Sequence, residues 1–546
     1  MSLLDERWMH VRLRDGGRAL LAPFELSRPD TVAFDAARPD FNGALFQFAV
    51  ALLQTITPAR TRRDWRAWFA APPDADTLRA LFEPIAPHFV YDGDGARFMQ
   101  DHALRAADGE PVAIANLLID SPGENALRNN GDFFTKRGRI SRLCPHCAVL
   151  ALYTLQVNAP SGGAGHRTGL RGGGPLTTLL RPETVAGEPA SLWQQLWLNV
   201  LPESQFNEVG GDRNRDEPIA RFPWRGPIEQ LQSDGGSLAP TQVHPLHVYW
   251  AMPRRIRLDL DAVAQGTCDL CGATSDRLVT QYVTRNYGLN YKGAWNHPLS
   301  PYYQVKDEWL PLHPQPGGIG YRHWQGFVLG IQADKQVRRA AKVVTDFLDD
   351  GIERNQRVEL RLWAFGYDMD NMKPRCWYES VMPLHAIGEC GASERELMRG
   401  DIAAWVAGAE LAASYARNAV KDAWFGGDAR GDYGFIDASF WSRTEPDFYA
   451  LLRERIAAAR DGGEWDAVAR ALAWRSLLRR TALRLFDDEL VGAGAVHAQN
   501  PARIKAAHEQ LTRNLDGPKL RDVLHLPAPA GSAKPKPARK TGRKAD

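Results

Sequence analysis

The chain has 546 residues with 67 Lys and Arg against 65 Asp and Glu, and is 44% hydrophobic and 24% charged. That is the composition of an ordinary soluble globular protein, at a length more than one hydrophobic core would serve, so two or more domains are expected. A net charge of +2 excludes a uniformly basic nucleic-acid binder and leaves only local basic patches, while 17 Trp and 36 Pro point to a loop-rich fold with large anchored side chains.

In chain order, the opening Met1-Ser-Leu-Leu-Asp-Glu-Arg-Trp8 lacks a basic-then-apolar leader, and no uncharged apolar run reaches the roughly 18 residues of a membrane span. A cytoplasmic protein without membrane contact is expected. Residues 42–55 have a helical pattern. Next, Asn129 to Ile140 interleaves Phe133 and Phe134 with Lys136, Arg137 and Arg139. Rings that stack bases beside cations that follow phosphates suit single-stranded nucleic acid, although both Phe would equally serve a core.

Cys144-Pro-His-Cys147 and Cys268-Asp-Leu-Cys271 are two CxxC knuckles. Four thiolates complete the tetrahedral shell of one structural zinc ion and leave no open position for catalysis, so one ion would clip two distant segments together. The alternative is two unconnected thiol pairs. His146 is a further ligand type that a complete sulfur shell does not need. Cys376 and Cys390 read as buried core thiols.

Ser161 to Gly174 holds seven glycines in fourteen residues together with Arg167 and Arg171. Glycine lets backbone N–H groups approach a phosphate or a base edge, but no GK[ST] closes a P-loop and no GxGxxG frame is present. A flexible surface loop is the plain alternative. Strand-like runs at 281–283 and 358–365 complete a mixed pattern.

From Ser393 the sequence becomes helical. Ser393 and Glu396 have capping-box spacing ahead of the seam Ile402, Trp405, Ala409, Ala412, Ala416. A second helix is expected from Thr444-Glu-Pro-Asp447 to Asp461-Gly-Gly463, a third over 465–490, and a fourth from Asn500-Pro501 to Gly517. The tail carries Lys534, Lys536, Arg539, Lys540, Arg543 and Lys544 without apolar periodicity. The expected fold class is α+β: a large irregular mixed α/β domain with the zinc site over 1–388, a four-helix bundle over 389–525, and a disordered basic tail over 526–546. No HExxH, GxSxG or acid-rich metal cluster appears, which lowers the expectation of an enzyme.

Four signatures in this order resemble the large subunit of the type I-E CRISPR surveillance complex Cascade, the CasA family. They are Leu3 to Trp8, Gly169-Leu-Arg-Gly-Gly-Gly-Pro-Leu-Thr-Thr178, the two CxxC knuckles, and Trp295-Asn-His-Pro-Leu-Ser-Pro301; Gly366 to Lys373 and the C-terminal helices extend the match. The resemblance implies a non-catalytic subunit of an RNA-guided antiviral complex. Such a subunit recognises the protospacer-adjacent motif in double-stranded DNA, promotes opening of the duplex for guide pairing, and recruits a helicase-nuclease. Its partners would be double-stranded DNA, the CRISPR guide RNA, the other Cascade subunits and that effector.

Carried over position by position, the family's glycine loop falls on Ser161, Gly162, Gly163, Ala164 and Gly165, followed by Arg167, with Ser161 and Ala164 where the family often has glycine. The basic finger falls on Arg285 and Asn286, the latter in place of lysine, with Lys292 in reserve. The wedge falls on Asp370, Asn371 and Met372, with Asn371 in place of glutamine and Met372 as the apolar insertion that unstacks a base step. Phe133 and Phe134 fall on the segment that contacts the guide RNA. The competing reading is a zinc-stabilised nucleotide- or phosphate-binding enzyme using the Gly162–Gly174 loop and Arg171.

Overall fold

The computed structural model describes residues 1–123, 127–130, 136–160, 163, 165–232, 236–333, 336–350, 358–370, 373–425, 433–487 and 500–528. Its contacts divide the chain into two compact units, Met1–Ala392 and Ser393–Asp546.

The first unit is mixed α/β, built around the helix Pro39–Ile56, in which fourteen residues from Asp40 to Gln54 are buried. Such a helix is apolar on every side because it has neighbours on every side. Pro39 opens it where a missing N–H costs nothing. Phe48 on this helix meets Trp8, Phe89, Phe98, Tyr153 and Trp250 at ring-centroid distances of 5.5 to 6.2 Å, mostly edge to face, the arrangement aromatic quadrupoles favour. Many of the tryptophans seen in the sequence are therefore core anchors; Trp193, Trp197, Trp224, Trp250 and Trp324 are fully buried.

Around this core lie small antiparallel sheets. Gln281–Arg285 stands between Val112–Ala113 and Arg255–Leu258. Val263–Thr267 and Thr274–Val279 form a separate hairpin. The long hairpin Val358–Asp370 and Lys373–His385 continues through Thr177–Val185 to Glu188–Pro189. Cys390 is buried as expected, but Cys376 is exposed. Its strand is the outer one of the sheet, and its first half reaches beyond the cover of the core.

The second unit is helical: Ala392–Phe425, Gly434–Asp461, Ala467–Arg484, Pro501–Asp516 and the short Pro518–Val523. Asn500 caps the fourth by accepting from Arg503 N at 3.1 Å. The second begins at Gly434, ten residues before the expected start, and carries Pro446 in its interior. Its buried seam, Ile436, Phe440, Thr444, Phe448, Leu452, Ile456, continues in steps of four straight past the proline. Packing along that seam outweighs one lost backbone hydrogen bond. Trp474 Nε1 donates to Trp405 O at 3.0 Å, and Arg455 pairs with Asp401 at 2.7 Å. Leu526 is still buried, so packed chain extends past the expected start of the tail; residues 529–546 lie outside the described residues.

Candidate metal centre and nucleic-acid interface

The two knuckles converge. The Sγ atoms of Cys144, Cys147, Cys268 and Cys271 all lie within 4.8 Å of one another. Cys144 Sγ and Cys271 Sγ are 3.7 Å apart, too far for a disulfide and close to the roughly 3.8 Å edge of a tetrahedron with 2.3 Å metal–sulfur bonds. The donor set fits a soft, four-coordinate ion. Hydrogen bonds shared within the cluster, from Cys144 first, pull the Cys271 thiol down and push the Cys147 thiol up, as expected when four sulfurs crowd one point.

Each knuckle has its own local scaffold. Cys144 is the N-cap of the helix Pro145–Asn158, with Pro145 at its first position and Cys144 O accepting from Ala148 N at 2.9 Å. Cys268 and Cys271 sit in the turn of the hairpin Val263–Thr267/Thr274–Val279, where Gly272 N donates to Cys268 O at 3.0 Å. Backbone bonds between Leu143 and Val279, at 3.0 and 2.7 Å, join the two scaffolds. The Asp269 carboxylate accepts from Ser141 N at 2.7 Å and Arg142 N at 3.0 Å. Burial pushes that carboxyl up, and the Ser141 and Arg142 bonds outweigh it, leaving it below the usual carboxylate range. His146 turns away from the sulfurs to meet Glu6 Oε2 at 2.7 Å and lies against Trp8, so the opening segment docks on the first knuckle.

The second knuckle's hairpin is followed at once by Gln281–Arg285, and here the positions expected for the glycine loop and the finger meet. Ser161, Gly162 and Ala164 lie outside the described residues; Gly163 and Gly165 have φ of +102° and +80°. Tyr287 N donates to Gly165 O at 2.8 Å. A Cβ on Gly165 would fall 2.6 Å from Asn286 Cβ, so only glycine fits against the finger. Arg254 fixes both ends of the loop, its Nη atoms bonding Pro160 O and His166 Nδ1. Arg285 and Asn286 are exposed at the strand end, and Lys292 is exposed nearby with its N donating to Leu238 O at 3.0 Å. Neither Arg285 nor Lys292 makes an ion pair among the described residues.

Sequence reasoning missed two residues of this surface. Tyr287 is 60% exposed with φ +62°, and the Arg167 guanidinium lies 5.7 Å from its ring centroid, a cation–π approach that presents ring and charge together. An aromatic side chain directly after Arg285-Asn286 was the available signal. Arg254 gave none, since its partners are about ninety residues away in sequence.

The wedge positions occupy the end of the long hairpin. Asp370 pairs with Lys373 in register, and Asn371 and Met372, between them, lie outside the described residues. Arg375 bridges Asp368 at 2.6 Å and Asp370 at 3.8 Å. Tyr367 Oη donates to Asp40 Oδ2 at 2.6 Å, tying the hairpin to the start of the core helix. Phe133 and Phe134 also lie outside the described residues; Lys136, Arg137 and Arg139 just beyond them are exposed.

Gly169 to Gly174 behave differently from the phosphate cradle of the enzyme reading. A Cβ on Gly174, at φ +62°, would fall 2.7 Å from Tyr367 O, so this glycine permits backbone packing against the hairpin. Arg171 is 4% exposed and bonded inward, which removes the cation that reading relied on.

The sequence matches the family described as CRISPR-associated protein Cse1 over residues 2–485. The fold is similar to that of Thermobifida fusca Cse1 (TM-score 0.67, 16% identity, covering 96% of this chain and 98% of that one). It is similar also to CasA from Thermus thermophilus (TM-score 0.64, 18% identity, 96% and 99% covered). A chain from a structure titled CRISPR RNA-guided surveillance complex matches with TM-score 0.64 at 16% identity, with 95% and 99% covered. With the family matched over most of its length, the chain belongs to the Cse1 family of CRISPR-associated proteins.

Proposed function

We propose that this chain is the subunit of a Cascade-type, RNA-guided surveillance complex that inspects the short duplex beside a target, and that it acts by binding rather than by catalysis. The observation that carries this reading is the bond from Tyr287 N to Gly165 O. It joins two segments more than a hundred residues apart into one ridge bearing the half-buried Arg167 and the exposed Arg285 and Tyr287. A narrow ridge of cations and one ring fits a minor groove, whose pattern is degenerate, so a small set of motifs rather than one should be accepted. In this account Gly163 and Gly165 approach the groove, Arg285 reads it with Lys292 alongside, and Asp370, Asn371 and Met372 enter the adjoining base step.

The ion held by the four cysteines is zinc in this reading, because an all-thiolate tetrahedral shell suits it. Its contribution is structural: it fixes the hairpin that leads into the finger strand against the helix that leads into the glycine loop. Phe133 and Phe134 contact the guide RNA, the helices of the second unit form a four-helix bundle, and a helicase-nuclease docks on the assembled complex.

Reconstitution tests this. Complexes with and without this chain are compared for guide-dependent binding to motif-flanked duplex, and the chain should be required. Arg285→Ala should weaken closed-duplex binding about tenfold, as loss of one good groove contact does, while leaving binding to a pre-opened target unchanged. Equal binding with and without the chain contradicts the proposal.

A further inference from the structure

Arg171 is a buried cation with no anionic partner among the described residues. Its Nη1 donates to Thr177 Oγ1 and Ser300 Oγ, each at 3.0 Å, and its Nη2 to Gln47 Oε1 at 2.6 Å, all neutral acceptors. The titratable groups that face it are the tyrosines Tyr302, Tyr153 and Tyr249 and the histidines His297 and His313; burial pushes the three hydroxyl pKa values up and both imidazole pKa values down, so none supplies negative charge. Burial lowers the guanidinium itself to about 10, which leaves it protonated at neutral pH. His297 nearby is held neutral by burial and by Arg171. An uncompensated charge in such a place is costly unless something neutralises it.

Beside this guanidinium lies a cavity of about 20 Å³, lined among others by Gln47, Tyr153, Gln156, Tyr249 and His297, enough for one water-sized occupant. Its wall offers several donors. Three of the five guanidinium N–H groups are used, which leaves two. Tyr249 Oη is buried with no hydrogen-bond partner among the described residues. His297 Nδ1 accepts from Leu299 N at 3.2 Å, so Nε2 carries the ring proton. The side-chain oxygens of Gln47 and Gln156 are already engaged, by Arg171 and by Arg254 N. A water there would leave the Arg171 charge uncompensated, whereas a small anion accepts from these donors and cancels it.

We infer that this cavity is a binding site for a single monatomic anion, chloride in the cell, held by Arg171 and the Tyr249 hydroxyl. Val157, Leu170 and Ala251, the half-buried part of the lining, mark its side of exchange with solvent. The ion locks the turn Gly169–Gly174 onto the core. This does not depend on the DNA-reading role.

The test uses the purified full-length chain, melted in chloride or bromide against gluconate at equal ionic strength. Raising the halide from about 5 to about 200 mM should lift the melting temperature by about 2 °C or more, as expected for an ion bound only by the folded state. Arg171→Met should erase the halide dependence, and Tyr249→Phe should raise the half-saturating concentration about fivefold, the loss of one hydrogen bond. Should Arg171→Met fail to fold, bromide-soaked crystals decide: an anomalous peak in the cavity supports the site. A cavity without a bromide peak, or a melting temperature that follows ionic strength alone, overturns it and assigns the space to water.

Discussion

Gly165→Ala tests the junction of loop and finger. The added Cβ would stand 2.6 Å from Asn286 Cβ and 3.2 Å from Tyr287 N, in a backbone conformation of φ +80° that costs an L-residue about 1–2 kcal/mol. Gly165 is half-exposed, so it relieves the clash by moving away from Asn286, giving up the 2.8 Å bond from Tyr287 N, worth about 1 kcal/mol. Global stability should change little. The reconstituted complex should lose about 1.5–3 kcal/mol, roughly ten- to a hundredfold, in affinity for closed motif-flanked duplex. Gly163→Ala is the control, since its φ of +102° carries backbone strain but its Cβ meets nothing within 4 Å among the described residues, and its loss should be smaller. Titration of labelled duplexes, closed and pre-opened, reads both effects. Equal losses on the two targets, or none on either, would refute the reasoning.

Cys268→Ser should reduce bound metal from one equivalent per chain to a readily chelated fraction and lower the melting temperature, while unfolding stays cooperative because the Leu143–Val279 and Asp269 bonds still join the two scaffolds; metal analysis and calorimetry check both. His247 is fully buried, and burial lowers its pKa to about 4. A depressed folded value means the unfolded chain takes up the proton first, so the stability this residue confers is complete above about 6.5 and is lost as pH falls towards 4, by up to about 3 kcal/mol. Urea midpoints measured between those values should fall in the wild type and flatten in His247→Gln. Trp250→Ala, which empties a site enclosed by Phe48, Phe89, Phe98 and Trp224, should cost about 3–5 kcal/mol by chemical denaturation.

What the sequence made legible was local. A CxxC places two thiols in one turn, and Asn500-Pro501 starts a helix through its own side chain, so both signals sit within a few residues. The second long helix was half visible: Pro446 has the look of a start, and only the four-residue seam from Ile436 to Ile456 shows that it is not. The meeting of Gly165 with Asn286 and Tyr287, the docking of Glu6 on His146 and the grip of Arg254 on the glycine loop depend on contacts about 90 to 140 residues apart, which no local pattern encodes. Arg171 shows the reverse error. An arginine among glycines looks like an anion-reaching surface group, and strand pairing and core packing turn it inward.

The ridge of Arg167, Arg285 and Tyr287 is proposed to read the duplex beside the target. The most direct measurement is selection from a randomised flanking-motif library by the reconstituted complex carrying either the wild-type chain or Arg285→Ala with Tyr287→Ala. The account predicts a short, degenerate set of enriched motifs with the wild type and a flat distribution with the double variant. The same enrichment from both would contradict it.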